Sequence, residues 1–343
     1  MSRYARQSIL PTIGSEGQAK LAASHAAIIG VGALGCVTAD LLARAGVGTI
    51  TLIDRDIVEE TNLQRQTLYS ESDINLPKAE AAAKRLSAIN SKITINAHAA
   101  DFTSSNAESL LQLHNRDARQ PAILIDGTDN FVTRYLLNDL AVKHHMYFGH
   151  AGVVAAVGTQ ATFSPGDACL RCVFPTPPDA ASQPTCDTAG VLGPAVFFVA
   201  AAQAADAIKV LTGNASALSN SVEYIDVWRN TRQRISLAKD PHCPCCAKQD
   251  FAFLNAPSES EITSICGQNA IQVWPSVASP IDMPRLASRL AQSGGVETSR
   301  FMLRFSPSGS PLRMSIFQDA RAIVHGTRDS NMAKSAYAKY VGT

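Results

Sequence analysis

Gly30-Val31-Gly32-Ala33-Leu34-Gly35 carries three glycines at the spacing G-x-G-x-x-G, after the apolar run 26–31 and before a helical pattern. In that context Gly30 permits a tight turn, Gly32 lets a phosphate reach the backbone, and Gly35 lets the helix pack on the strand. The N-terminus of such a helix favours an anion. Asp54 ends the next apolar run, 49–53, where an acid bonds a ribose hydroxyl. Together these features indicate an adenine nucleotide and leave NAD, FAD, S-adenosylmethionine and ATP open. The segments Asn62-Leu63-Gln64-Arg65-Gln66 and Asp126-Gly127-Thr128-Asp129-Asn130, with Lys78 between them, narrow the choice. Two cations and an acid near one crevice suit a triphosphate with Mg²⁺. Arg65 and Lys78 can neutralise charge building on a transferred phosphoryl group, and a carboxylate can hold the cation. Hydride transfer needs none of them, so an NAD dehydrogenase is the generic fallback. The sequence lacks G-x-x-x-x-G-K-[ST], which excludes a P-loop NTPase.

The cysteines form a second constellation. Cys169-Leu-Arg-Cys172 is one C-x-x-C pair, and Cys243 with Cys246 is another. Two such pairs far apart in sequence indicate a structural Cys₄ zinc site, against the alternatives of a redox pair or chance. Cys245 can replace Cys246 as ligand on spacing alone. Cys186 stands apart at the end of the Pro-rich stretch 174–184, before a helix begins. A helix N-terminus favours the thiolate, so Cys186 is a candidate for a transient covalent intermediate, with a small buried side chain as the bland alternative.

The elements that must position these residues follow from periodicity. Strands are expected at 26–31, 49–53, 92–97 and 122–126, with helices at 34–42, 78–89 and 131–144 between them. Repeated β–α alternation implies an α/β, Rossmann-like doubly wound and mostly parallel sheet. A helix around 197–211 and a strand at 222–227 follow the long loop. The expected division is an ATP-binding domain over 1–250, a linker at 251–260 and a small α+β accessory domain over 261–343. In the last, strands are expected at 301–305, 312–317 and 321–324, with helices at 281–292 and 329–340.

The 343 residues suit two domains. Hydrophobic residues at 46% against 17% charged can bury a core, which excludes a disordered polymer. A net charge of +1 offers no basic field for nucleic acid or an anionic membrane. Eight cysteines are too sparse for a disulfide-stapled secreted scaffold. No apolar segment follows the basic N-terminus as in a signal peptide, and the run 190–202 is too short to span a bilayer. These features predict a cytoplasmic protein with reduced thiols.

The combined motifs resemble the ThiF/MoeB/HesA adenylyltransferases, bacterial relatives of ubiquitin-activating enzymes. The set is R-Y-A-R-Q at Arg3 to Gln7, the glycine loop, L-I-D-x-D at Leu52 to Asp56, N-L-Q-R-Q at Asn62 to Gln66, Pro77-Lys78, T-D-N at Thr128 to Asn130, the two C-x-x-C pairs and T-C-x-x-A-G-V around Cys186. The resemblance implies a homodimer that binds ATP with Mg²⁺ and adenylates the C-terminal glycine of a ubiquitin-like sulfur carrier ending in Gly-Gly. It implies that Asp54 binds the ribose and that Asn62, Arg65 and Lys78 contact the phosphates. Asp129 matches the Mg²⁺ carboxylate. Arg6 matches an arginine inserted from the neighbouring subunit, and Asp56, Gln66, Thr128 and Asn130 join the nucleotide set. Cys169, Cys172, Cys243 and Cys246 match the zinc ligands. Cys186 matches a loop cysteine that bonds the carrier in some members.

Two departures stand out. Ala33 occupies a position where many members carry a fourth glycine, and ATP binding is expected to survive the added methyl. Some long members end in a rhodanese domain, but Cys266 is the only cysteine after the zinc pairs and lacks an anion-binding loop. No sulfurtransferase activity is therefore expected, and a separate sulfurtransferase or cysteine desulfurase would supply the sulfur. The competing readings are adenylation of another carboxylate or a tRNA base, and a non-catalytic carrier-binding scaffold.

Overall fold

The computed structural model describes residues 2–115, 120–178, 186–256, 262–264, 270–274, 281–299 and 302–342, without the side chains of 186–187 and 262–264. Cys266, residues 179–184 of the Pro-rich stretch and Thr185 after it lie outside the described residues. The chain divides into two compact units, Met1–Pro257 and Ser258–Thr343.

In the first unit β1 (His25–Ile29), β2 (Thr49–Ile53), β3 (Thr94–His98), β4 (Ile123–Asp126), β5 (Tyr147–Val154), β6 (Val157–Phe163), β7 (Ser221–Asp226) and β8 (Thr231–Ser236) form one sheet. Its order is β3-β2-β1-β4-β5-β6-β7-β8. Strands β3 through β5 run parallel, and β6, β7 and β8 add on antiparallel. The order reverses between β1 and β4, so a crevice for a ligand opens at their C-terminal ends.

The helices are α1 (Ala5–Ser8), α2 (Gly14–Ala23), α3 (Ala33–Ala45), α4 (Lys78–Ile89), α5 (Ala107–Leu110), α6 (Phe131–Lys143), α7 (Leu170–Val173), α8 (Cys186–Ala189) and α9 (Gly193–Leu211). Strand β1 shows why they lie on both faces. Its residues are all buried and point alternately to each side. Ala26 and Ile28 join Leu42 of α3, Leu86 of α4 and Ala204 of α9. Ala27 and Ile29 join Ala107 of α5 and Leu136 of α6.

Helix α9 runs for 19 residues and is long and apolar enough to cross a bilayer by length and composition. The apolar run 190–202 is too short to span because Gln203, Asp206 and Lys209 interrupt it, but they do not end the helix, which reaches Leu211 as expected and starts at Gly193 rather than 197. Here the helix packs on α3, β5 and β6. Gln203 lies in the core, accepting from Thr38 Oγ1 at 2.9 Å and donating to the carbonyls of Asp126 and Gly149 at 3.0 and 2.9 Å. Phe251, Phe253 and Leu254, in the stretch expected as a linker, pack into the core beside α6.

The second unit holds β9 (Ile262–Ser264), β10 (Ala270–Val273), α10 (Met283–Leu290), β11 (Gly294–Thr298), β12 (Met302–Pro307), β13 (Arg313–Phe317), β14 (Ala322–His325) and α11 (Ser330–Tyr340). The strands make a second sheet in the order β11-β12-β13-β14-β10-β9, with antiparallel pairing throughout. Leu286 and Leu290 of α10 and Ala333 and Tyr337 of α11 cover its apolar face. Asp282 and Asp329 cap the two helices through their carboxylates.

Candidate active site

The glycine loop joins β1 to α3 at the crevice. Gly30 has φ +85°, and a Cβ there would meet the backbone of Gly127 at 2.7 Å. A Cβ on Gly35 would sit 2.0 Å from the carbonyl oxygen of Gly30, so the helix can approach the strand only with glycine there. Around Gly32 the nearest atoms to such a Cβ are 3.9 Å away, on Gln66 and Gly127, which leaves room for a phosphate oxygen. Ala33 is the first residue of α3.

Asp54 follows β2 and ties the loops together. Its Oδ2 accepts from Val31 N at 2.6 Å, and its Oδ1 accepts from Asp56 N at 2.7 Å. Burial raises its pKa more than Lys78 lowers it. Lys78 opens α4 only 6% exposed, with Nζ 3.0 Å from Asp56 Oδ2. Burial opposes its charge, but Asp56 and Asp54 outweigh burial and raise its pKa, and Asp129 adds to the effect. Tyr69 donates to the carbonyl of Val31 at 2.7 Å, bracing the glycine loop against this segment.

Asn62 is buried, and its Oδ1 accepts from Glu59 N at 3.2 Å. Arg65 is half-buried and donates to the carbonyl of Thr61 at 2.9 Å. Gln66 Oε1 is buried and makes no hydrogen bond among the described residues. An orphaned polar atom in a site built for a ligand is the group a ligand would satisfy. On the other side, Asp129 is exposed past the end of β4. Thr128 and Asn130 already have local work. Thr128 Oγ1 donates to Asp126 Oδ1 at 2.7 Å, and Asn130 Oδ1 caps α6 by accepting from Val132 N at 2.8 Å.

Arg6 is not brought to this crevice. Its helix α1 docks at the other end of α3, where Gln7 Nε2 donates to the carbonyl of Ala45 at 2.9 Å. The Tyr4 ring lies against Gly46, which ends α3 with φ +89°. A 13-residue helix separates the two ends by about 20 Å at about 1.5 Å per residue. Arg6 is exposed at that remote end. Cys186 opens α8. The chain just after α8 is pinned to the β5–β6 turn, since Ala155 N donates to the carbonyl of Gly190 at 2.9 Å and Leu192 N donates to that of Ala155 at 2.8 Å.

The Sγ atoms of Cys169, Cys172, Cys243 and Cys246 all lie within 4.8 Å of one another. Cys169 and Cys243 are 3.6 Å apart, and Cys172 and Cys246 are 3.4 Å apart. A tetrahedral ion with bonds of about 2.3 Å separates its sulfurs by about 3.8 Å, so four thiolates here can hold a metal. Cys245 is not one of these four. Cys245 is buried against α6, where its Sγ lies 3.3 Å from Asn138 Nδ2 and 3.3 Å from Asp139 Oδ1.

Comparison with known proteins places the whole chain among similar sequences. The ThiF family model matches residues 4–245. The chain is 40% identical to the sulfur carrier protein ThiS adenylyltransferase of Bacillus subtilis, over 99% of both chains. The chain belongs to the ThiF family. This ThiF-family chain is an adenylyltransferase. It is 35% identical to the sulfur carrier protein adenylyltransferase of Thermus thermophilus, over 73% of this chain and 92% of that one. The crystal structure of E. coli MccB with ATP is similar with a TM-score of 0.60 and 25% identity, over 72% of this chain and 74% of that one.

Two site residues escaped the sequence reading of this ThiF chain. Arg134 and His150 both contact the buried Asp126, at 2.6 and 3.2 Å. Arg134 sits one turn into α6 and His150 in an apolar strand, and neither belongs to a recognisable spacing.

Proposed function

We propose that this chain uses ATP to adenylate the C-terminal glycine carboxylate of a ubiquitin-like sulfur carrier ending in Gly-Gly. What carries the reading is the convergence of the glycine loop, Asp54, Gln66, Lys78 and Asp129 on one crevice, in a chain matching a ThiS adenylyltransferase along its whole length. One oxygen of the carrier carboxylate attacks the α-phosphorus. The bond from that phosphorus to the bridging oxygen of the β-phosphate breaks, pyrophosphate leaves with the electron pair, and an acyl-adenylate remains. The attacking carboxylate is already ionised, so no general base is required. Asp54 takes the ribose, and the backbone at Gly32 with Gln66 takes a phosphate. Asn62, Arg65 and Lys78 hold the phosphates and offset the charge that builds during transfer. Asp56 keeps Lys78 aimed at the crevice, and Asp129 is the carboxylate to hold Mg²⁺. The magnesium ion, when bound, neutralises phosphate charge.

The test is ATP–pyrophosphate exchange in the presence of purified carriers. Exchange should depend on a carrier ending in Gly-Gly and vanish when the terminal glycine is removed. Exchange with no such carrier would sink the reading. The name of the Bacillus relative favours a ThiS-type carrier over a molybdopterin one. A scaffold would have no use for a buried, charged Lys78, and nothing in the crevice favours a dehydrogenase or a tRNA-base reaction.

The active assembly in this reading is a homodimer. Arg6 is too far from its own crevice to serve it, which supports delivery from a second subunit. A groove of about 630 Å³ runs between α3 and α9, lined by Val37, Leu41, Phe197 and Phe198 and bordered by Gln64. Phe197 and Phe198 are each 43% exposed, and a second copy seated there would lie next to the Arg65 segment. Cys186 remains the candidate for a thiol adduct with the carrier. Sulfur then comes from a separate sulfurtransferase or cysteine desulfurase, in the cytoplasm.

We assign the cysteine cluster to zinc on its four sulfur donors and their spacing. Metal analysis should find about one zinc per chain, and chelation should lower the melting temperature, because binding free energy at such a site is folding free energy. A metal-free protein with an unchanged melting temperature would remove the assignment.

A further inference from the structure

We propose that Arg134 and His150, acting through Asp126, are positioning residues that fix the backbone of Asp129 for magnesium binding. The inference rests on the reading of Asp129 as the magnesium carboxylate. Asp126 ends β4 and is fully buried. Its two oxygens have separate duties. Oδ1 accepts from Thr128 N at 3.0 Å and from Thr128 Oγ1 at 2.7 Å. Oδ2 accepts from Arg134 Nε at 2.6 Å and contacts His150 Nδ1 at 3.2 Å.

Arg134 closes the loop a second time. Its Nη2 donates to the carbonyl of Thr128 at 3.2 Å and to that of Ala151 at 3.4 Å. The amide of Thr128 is therefore held by Asp126 and its carbonyl by Arg134. The peptide plane that contains this carbonyl also contains the nitrogen of Asp129. One residue further on, Asn130 is fixed as the cap of α6 by Val132 N and Thr133 N at 2.8 and 3.4 Å. Asp129 thus sits between two clamped neighbours while its own side chain is exposed. A carboxylate held this way reaches a cation without first ordering its loop, which is the general use of outer groups around a metal site.

The charges in the clamp are consistent with this duty. Burial opposes ionisation of Asp126, but Arg134 and His150 outweigh it and bring its pKa down to about 2. Burial, then Arg134, lowers the pKa of His150. A neutral His150 can donate Nδ1–H to Asp126 while Nε2 accepts from Thr159 Oγ1, which lies 3.4 Å away. The partners assign this tautomer. Arg134 then supplies the positive charge and His150 braces the shared oxygen from β5.

The test measures metal binding directly. Mn²⁺ is titrated into the full-length protein with α,β-methylene-ATP, and free Mn²⁺ is read by electron paramagnetic resonance. Melting temperature is followed in parallel. Asp129→Asn and Arg134→Met should each raise the Mn²⁺ dissociation constant by about tenfold or more, the scale for loss of an outer partner. His150→Gln should raise it by a smaller factor. Arg134→Lys keeps charge beside Asp126 but loses the planar fork that reaches the Thr128 carbonyl, so its shift should fall between wild type and Arg134→Met. If Arg134→Met does not fold, Arg134→Lys carries the test. A folded Arg134 variant with unchanged Mn²⁺ affinity, beside a shifted Asp129→Asn, overturns the positioning role alone. An unshifted Asp129→Asn overturns the magnesium reading itself, and the positioning role with it.

Discussion

Lys78→Met is expected to lower carrier-dependent ATP–pyrophosphate exchange by about 10³-fold, the scale for removing one group that stabilises developing charge. The environment explains why the effect should be large. Lys78 is 6% exposed and lies beside two carboxylates, Asp56 at 3.0 Å and the buried Asp54. Methionine keeps the length of the side chain and removes the charge. The triphosphate would then face Asp54, Asp56 and Asp129 with Arg65 as the remaining phosphate cation of the predicted set. Stability should change with a defined sign. A carboxyl whose folded pKa lies above its unfolded value stabilises the fold at low pH and loses that contribution as pH rises through the folded pKa. Asp54 is such a group, and losing Lys78 pushes it further up. The melting deficit of Lys78→Met should therefore grow as pH rises above the ordinary carboxylate range. Exchange within tenfold of wild type would remove Lys78 from the phosphate site.

Arg6→Ala should be as inactive by itself, with a loss of about 10³-fold, the scale of an arginine finger. Mixing it with Lys78→Met should restore activity. In a mixed dimer, the subunit with intact Lys78 receives an intact Arg6 from its neighbour, while the other crevice lacks both. Random exchange of two equal pools makes about half the dimers mixed, each with one working site, so about a quarter of wild-type activity should return. Arg6 acting within its own subunit predicts no recovery, because neither chain then holds a complete set. The measurement is exchange activity after co-refolding or subunit exchange, with each parent variant as control.

Some of this site is legible from single segments. Gly30, Gly32 and Gly35 are separated by so few residues that one strand–turn–helix geometry fixes what each must do. Lys78 opens its helix where the Pro77-Lys78 pattern puts it, and α4 spans Lys78–Ile89 as the alanine-rich pattern predicts. Strands β5, β6 and β8 are different. Their segments mix polar and apolar residues without a clean period: β8 is exposed throughout, and β5 carries glycines and His150 in its interior. Pairing with neighbours across the sheet, rather than local pattern, makes them strands. The C-terminal end of α9 at Leu211 was legible, whereas its start at Gly193, four residues before the expected 197, was not.

The sequence by itself determined the glycine loop, the acid after β2, the candidate phosphate cations and the two cysteine pairs, because backbone geometry over a few residues is set by those residues. Only the tertiary structure decided the rest. It grouped Cys246 with Cys169, Cys172 and Cys243 and set Cys245 against Asn138 and Asp139 of α6. It placed Arg6 at the wrong end of α3 for its own crevice, and it joined Asp126, Arg134 and His150 into one clamp. Each of these depends on which side chains meet across strands and helices far apart in the chain. Sheet order and register set those meetings, and no local spacing encodes them.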